Sequence, residues 1–495
     1  MTTSEQVVSP RGPNDLPEPR YDVFLSFAGT DRSIGRRLAD NLSTSGVRVF
    51  FDEKIELFSG ITESIREALS ESKTLLAYYS TDYSERAACQ HELMLAILAG
   101  EQEGDPCGRI MVLNPEPDTD HLRPVQLADA KFAIADDDEL VRAIAKRAAA
   151  VGTPIGSALP DSPPSWHAQR VGPVRRFLGR YRELWDLHTA LHVAEFPLID
   201  ETACGAFAAV SGLPGAGKTA LVTTYAWRFA AAYPGGVRWL SLKGATAEPG
   251  ELRRRLETAL IDLDPPRPRL LGRTGVVRTR RSARASPRCL WVVDDIPAGV
   301  GPELLEALPL PEFGRTRVIL ISEDDEFRDD LPVVRVGPLP PGDAAALLDA
   351  YRVPDDDEDS NARDELAAHL GHHAASLVTV GKHLCDRHGL ASYRTFADDL
   401  AITGSVAGAI LAPARGVLDR MTPDERLIVL LADRLSTTTF SAASVTGLND
   451  LAPFDVGATL KLLRDRSAAV RVGTDWHLDP NVVRAARKAP PLGAN

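Results

Sequence analysis

The most chemically explicit stretch of the sequence is GLPGAGKT, made of Gly212, Leu213, Pro214, Gly215, Ala216, Gly217, Lys218 and Thr219. It fits G-x-x-x-x-G-K-S/T, a spacing suited to nucleotide phosphates. Glycines let backbone N–H groups converge on phosphate oxygens with no Cβ in the way. Lys218 is placed to reach the β- and γ-phosphates, and the Thr219 hydroxyl to ligate Mg²⁺. Downstream, CLWVVDD ends in Asp294 and Asp295. A carboxylate there can hold Mg²⁺ through water. This chemistry needs a strand before the loop and a helix after it. The apolar run AFAAV supplies the first and ALVTTYAWRFA the second. The N-terminus of that helix adds a favourable potential for an anion.

Length and composition bound the rest. The chain has 495 residues, which predicts about three domains. At 44% hydrophobic and 25% charged residues it has the composition of a globular protein, not of a fibrous, disulfide-stapled or disordered one. A net charge of −13 disfavours nucleic acid or anionic lipid as a partner through bulk charge. Apolar runs fall short of the ~18 residues of a membrane span. Residues 1–19 are polar and Pro-rich, read as a disordered leader without a signal segment, so the expected location is cytoplasmic. The five cysteines lack metal-ligand or framework spacing and are expected to be reduced and buried.

Apolar strands alternate with helix-period segments from Tyr21 onward: YDVFLSF, VRVFF, TLLAYY, RIMVL and KFAIA as strands, with helices between them. Such alternation predicts an α/β fold with a doubly wound parallel sheet over 20–150. Residues 151–173 are rich in Gly, Pro and Ser and read as a linker. A second α/β block covers 174–340, a helical segment 341–410, and short helices with a β-wing 411–495. The acidic run Asp355–Asp359 is expected to be a solvated loop, and the Arg-rich stretch 267–288 an exposed connection.

The surroundings of the phosphate loop resemble the NB-ARC branch of STAND nucleotide-switch ATPases, with a P-loop α/β NTPase domain followed by helical and winged-helix segments. FLGRYREL resembles the entry motif and implies that Arg180 lies near the nucleotide. RVILISED resembles the sensor strand, with Glu323 where the family has Arg, which implies slow or absent ATP turnover. LGHHAASL stands at the Gly-Leu-Pro-Leu motif with His373 in place of Pro; His372 and His373 are read as surface or packing residues. His477, or Asp479 two residues on, falls near the nucleotide-sensing His of the winged helix. The resemblance implies ADP/ATP and Mg²⁺ as bound groups.

The segments YDVFLSFAGTDRS and FFDEKIELFSGITESIREALSESKTLLAYYSTDYSERAACQHEL resemble the TIR domain, a flavodoxin-like fold. The resemblance implies a contact loop, the BB loop, at 52–60. It also implies NAD⁺ cleavage by the Glu of the family's W-C-x-x-E-L motif. Here that Glu is Glu92, with Cys89 before it and Ala88 in place of Trp. The chemistry asks for little: nicotinamide leaves neutral, so one carboxylate favouring the ribose oxocarbenium is enough. Ser26, at the end of the first strand, lies at the carboxyl edge where such sheets bind ligands. Cys89 is read as core packing, without a partner base.

Together these features imply a nucleotide-switched immune signalling protein. In that reading it forms homo-oligomers through TIR and NB-ARC contacts and cleaves NAD⁺ when clustered, with a separate sensor protein as a further partner. Two other readings stand beside it: a non-catalytic TIR scaffold, and an ATP-regulated winged-helix transcription regulator.

Overall fold

A computed structural model describes residues 18–51, 61–129, 138–159, 166–167, 174, 176–192, 207–246, 248–263, 287–297, 300, 316–323, 331–386, 392–396, 414–435, 438–449, 452–466, 468–472 and 474–487. The expected leader up to residue 17, the BB loop at 52–60, the strand KFAIA and most of the Arg-rich stretch lie outside them. The chain divides into two compact units, residues 1–164 with 229–234 and residues 165–228 with 235–495.

The first unit holds β1 (Tyr21–Phe27), α1 (Arg32–Thr44), β2 (Val49–Phe50), α2 (Ile61–Ser70), β3 (Ser72–Tyr78), α3 (Thr81–Glu85), α4 (Ala87–Glu103), β4 (Ile110–Leu113), α5 (Asp138–Ala149) and α6 (Ile155–Ala158). Its sheet runs β2-β1-β3-β4, every pair parallel. Helices cover such a sheet on both faces, so the strands read as continuous apolar runs. Val23, Phe24, Leu25, Leu75, Leu76 and Ala77 are all buried. The chain order reverses between β1 and β3, and their carboxyl ends form the crevice where ligands bind in doubly wound folds. α4 is buried nearly all round, from Cys89 to Glu101, so a polar residue on it must find a protein partner.

The second unit begins inside the expected linker. β5 (Trp166–His167) adds to a six-stranded sheet, and the Trp166 ring stacks on Trp227 at 4.5 Å. On the other side of the boundary, Ile155 is buried and Arg109 donates to the Thr153 carbonyl at 2.7 Å. Residues 153, 155 and 166, within a segment whose composition reads as a spacer, thus have packed or hydrogen-bonded partners.

The sheet comprises β5, β6 (Phe207–Ser211), β7 (Val237–Ser241), β8 (Cys289–Ile296), β9 (Thr316–Ser322) and β10 (Val333–Arg335), in the order β10-β6-β9-β8-β7-β5 and all parallel. It is flanked by α7 (Tyr181–His192), α8 (Lys218–Arg228) and α9 (Pro249–Leu263). Three helices follow, α10 (Pro341–Asp349), α11 (Asp357–His369) and α12 (Ala374–Asp386), around Leu347, Leu348, Leu366, Leu377 and Leu384. The acidic run expected as a solvated loop instead starts α11. Asp356 caps the helix, accepting from the Asp359 N–H at 2.8 Å, and Asp359 is fully buried. Carboxylates satisfy the orphan N–H groups of a helix start and suit its dipole.

The last segment contains α13 (Pro423–Arg434), β11 (Thr439–Phe440), α14 (Ala442–Asn449), α15 (Val456–Asp465), β12 (Ala469–Val472), β13 (Asp475–Leu478) and α16 (Pro480–Arg487). Its antiparallel sheet has the order β11-β13-β12. The hairpin β12–β13 is where the sequence predicts a β-wing. Among the described residues no helix is long and apolar enough to cross a membrane.

Candidate functional sites

At the crevice of the first unit, Ser26 and Glu92 meet. Ser26 is the last but one residue of β1, and its hydroxyl donates to Glu92 Oε2 at 2.5 Å. Glu92 sits in the second turn of α4 and is 8% exposed. Tyr83, fully buried on α3, closes the group: its hydroxyl lies 2.9 Å from Ser26 Oγ and donates to the Cys89 carbonyl at 3.3 Å. Burial pushes the Tyr83 phenol well above its ordinary value, so Tyr83 is a neutral hydrogen-bonding partner. Sequence reasoning missed it; nothing in STDYSER distinguishes this tyrosine from a packing residue.

Cys89 does not take part as a nucleophile. Its thiol donates to the Phe27 carbonyl at 3.4 Å, and burial, then the charge of Glu92, pushes it up to about 12. Ala88 is exposed at the start of α4.

A TIR domain family model matches residues 23–145. Residues 23–145 are a TIR domain. The chain shares 29% identity over 105 residues with the disease resistance protein RUN1 of Vitis rotundifolia, 21% of this chain and 8% of that protein. It shares 35% over 79 residues with the 3′ cyclic ADP-D-ribose synthase AaTIR of Aquimarina amphilecti, 14% of this chain and 23% of that one. The chain therefore spans less than a quarter of the length of either relative. Among solved structures, a Walker-type ATPase of Pyrococcus abyssi aligns at 14% identity and a TM-score of 0.39, over 65% of this chain and 99% of that one. A STAND protein with a tetratricopeptide repeat sensor from Pyrococcus horikoshii aligns at 14% identity and a TM-score of 0.29, over 67% and 45%.

Beyond the TIR domain, the second unit forms its own site where β6 runs into the phosphate loop and α8. Gly215 and Gly217 have φ of 83° and 104°, a region glycine enters without a Cβ penalty. Lys218 Nζ donates to the Gly212 carbonyl at 2.7 Å and the Leu213 carbonyl at 3.1 Å, so the lysine braces its own loop. Thr219, one residue into α8, donates to Asp294 Oδ1 at 3.3 Å, and the Asp295 N–H donates to the same oxygen at 2.8 Å. Burial, then the charge of Asp295, pushes the Asp294 carboxyl up to about 6. Asp295 itself adopts φ 58° and accepts from the Ser241 hydroxyl at 3.0 Å.

A cavity of about 900 Å³ is lined by Pro214 to Ala220, Asp294, Asp295, Arg180 and the start of α12. That volume is at the upper end of the range for small-molecule sites. The phosphate loop, the Thr219–Asp294 pair and the cavity fit a nucleoside phosphate with a divalent cation.

Arg180 lines this cavity, but its guanidinium is already engaged. It donates to the Gly337 carbonyl at 2.5 Å and to Glu183 at 2.8 Å, and it too has a positive φ, 59°. His373 is buried, with Nε2 3.1 Å from the Pro214 carbonyl and Nδ1 2.9 Å from the Ser376 hydroxyl. It packs the helical segment onto the loop.

His477 departs from expectation. It is exposed on β13, its Nδ1 is 3.2 Å from the Thr439 hydroxyl, and it lines a separate cavity of about 420 Å³ behind Gly212 and Leu213. It does not line the cavity that holds Lys218 and Thr219. Asp479, the alternative position, is buried and accepts from the Asn481 and Val482 N–H groups at the start of α16. In that sheet His477 pairs with Val470 and Thr439.

Proposed function

We propose that this chain is a nucleotide-controlled signalling protein whose TIR domain cleaves NAD⁺ to nicotinamide and an ADP-ribose product. The observation that supports this most is the Ser26–Glu92 hydrogen bond of 2.5 Å at the carboxyl edge of the parallel sheet. It fixes one carboxylate, with its orientation set by a buried hydroxyl, in the crevice where such sheets take ligands.

The reaction breaks the bond between the ribose C1′ and the nicotinamide nitrogen. Both electrons stay on the nitrogen, so the base leaves neutral and no general acid is needed. Positive charge grows on the ribose. A carboxylate ~4 Å away at an effective ε of ~20 is worth about 4 kcal/mol before desolvation, or roughly a thousandfold. Water then adds to C1′ and gives up a proton, or a hydroxyl of the same molecule adds and a cyclic product forms. The Aquimarina relative, a 3′ cyclic ADP-D-ribose synthase, favours a NAD⁺-derived product of this class.

Control would come from the second unit. Lys218 and the loop N–H groups would hold the phosphates of ADP or ATP, and Thr219 and Asp294 would hold Mg²⁺. The cation would screen phosphate charge and fix the phosphate chain. Exchange of ADP for ATP would release an assembly in which TIR domains meet at high effective concentration, in the cytoplasm and in a defensive response. Exposed Ala88 supports a second reading, a scaffold without catalysis.

Incubating the full chain with NAD⁺, free and artificially clustered, and measuring nicotinamide by chromatography separates the two. Release that depends on clustering and is lost in Glu92→Ala supports the enzyme. Absence of release from clustered wild-type protein would sink it and leave the scaffold.

A further inference from the structure

We propose that Arg420 is a phosphate-binding residue of the nucleotide cavity, exchanging its partner Glu323 for the terminal phosphate of a nucleoside triphosphate. The inference rests on the nucleotide reading above and concerns a residue that no motif in the sequence marks.

The placement of Glu323 comes first. It follows β9 directly, and β9 lies between β6 and β8 in the sheet. β6 ends at the phosphate loop and β8 carries Asp294. The register sets Val210 of β6 against Ile321, and Ile296 of β8 against Ser322. Glu323 therefore leaves the sheet between the loop that would hold phosphate and the carboxylate that would hold metal. A bare carboxylate there would repel phosphate.

Arg420 removes that obstacle. Its Nη1 lies 2.8 Å from Glu323 Oε2, and both residues line the same cavity as Lys218. The pair is not buried: the side chains are 34% and 38% exposed. An ion pair that exposed adds little to folding stability, so it can be given up at little cost. A guanidinium takes phosphate oxygens in a bidentate fork, and a doubly charged phosphate is a stronger partner than one carboxylate. A diphosphate, one group shorter, would leave the Glu323–Arg420 pair intact.

The exchange has somewhere to go. Arg420 lies two residues before Thr422, which caps α13 in a capping box with Glu425. Fully buried Glu425 also accepts from Arg466 at 2.8 Å, just past α15. A shift of Arg420 toward phosphate would pull on the start of α13 and, through Glu425, on the segment that carries the β12–β13 hairpin.

The test uses the full chain with Mg²⁺, titrated with ADP and with a non-hydrolysable ATP analogue. Arg420→Gln should weaken the triphosphate roughly tenfold, the loss of about one charged hydrogen bond, and leave ADP within about twofold. Arg420→Lys should fall between, and Glu323→Gln should tighten the triphosphate by removing the competing carboxylate. Each variant is melted alongside, and an unchanged midpoint shows that it folds. Equal weakening of both nucleotides, or of neither, in a folded Arg420→Gln would overturn the proposal. If Lys218→Ala loses both nucleotides while Arg420→Gln loses neither, only the role of Arg420 fails. If the wild-type chain binds neither, the nucleotide reading fails with it.

Discussion

The Ser26 hydroxyl donates to Glu92 across 66 residues of chain, at 2.5 Å, and the Tyr83 hydroxyl lies 2.9 Å from the same oxygen of Ser26. A strand end, a short helix and a long helix thus meet around the Ser26 hydroxyl. The pairing predicts an unequal effect of two substitutions. Glu92→Gln keeps the shape but removes the charge, and nicotinamide release should fall roughly a thousandfold. Ser26→Ala keeps the charge but frees its orientation, and release should fall about tenfold, with a stability loss of about 1–3 kcal/mol from the lost partner. Equal effects of the two in a chromatographic assay would contradict this division of roles.

Asp294 makes stability depend on pH in an unusual direction. Its carboxyl is pushed from 3.8 up to about 6, by burial first and the charge of Asp295 second. The folded chain therefore holds this proton more tightly than the unfolded one. The group is neutral in its effect below pH ~4, costs progressively more as pH rises, and costs about 3 kcal/mol above pH ~6. Asp294→Asn should accordingly raise the denaturation midpoint at pH 7.5 and do nothing at pH 4. Mg²⁺ requires the ionised carboxylate, so its affinity should drop as pH falls below ~6. A destabilised Asp294→Asn at pH 7.5 would show that burial is not the dominant influence.

Much of this organisation was legible in the residues. The strands of both sheets are short, continuous apolar runs because helices cover both faces, and YDVFLSF and CLWVVDDI could hardly be read otherwise. The phosphate loop is a local pattern, and Glu92 stands in a local motif. What escaped was non-local. Tyr83 and Arg420 act through partners 57 and 97 residues away, and no spacing encodes that. Resemblance to the family's sensing His places His477 near the nucleotide; in the structure it lines a cavity with Gly212 and Leu213 and not the one lined by Lys218. The Gly- and Pro-rich stretch 151–173 reads as a spacer by composition. Yet within it Ile155 is buried and Trp166 stacks on Trp227.

Cys89 should be chemically quiet despite its place beside Glu92. Its thiol is 5% exposed and pushed up to about 12, so at pH 8 the thiolate is a fraction on the order of 10⁻⁴. Cys385 is exposed. Iodoacetamide at pH 8 should label Cys385 in the native chain and reach Cys89 only in denaturant. Cys89→Ala should keep NAD⁺ cleavage within about threefold, because the backbone carbonyl that Tyr83 bonds is kept and only a packing side chain is lost. Rapid native labelling at Cys89, read by peptide mass spectrometry, would reopen the case for a nucleophile.

Lys218 and His477 offer the sharpest contrast in the second unit. Lys218 Nζ sits on the Gly212 and Leu213 carbonyls at 2.7 and 3.1 Å, at the mouth of α8. Replacing it with Ala removes both the cation for the phosphates and a brace of the loop. Two charged hydrogen bonds are worth about 3–6 kcal/mol, so ADP affinity should fall at least a hundredfold, and NAD⁺ cleavage should no longer respond to nucleotide. His477→Ala removes a side chain that faces another cavity and bonds Thr439. ADP affinity should then stay within about twofold, since no phosphate contact is lost. Isothermal titration of both variants checks the pair. A large loss in His477→Ala would mean that nucleotide draws the β12–β13 hairpin onto the phosphate loop, which would make that hairpin, rather than Arg420, the first part of the last segment to respond to phosphate.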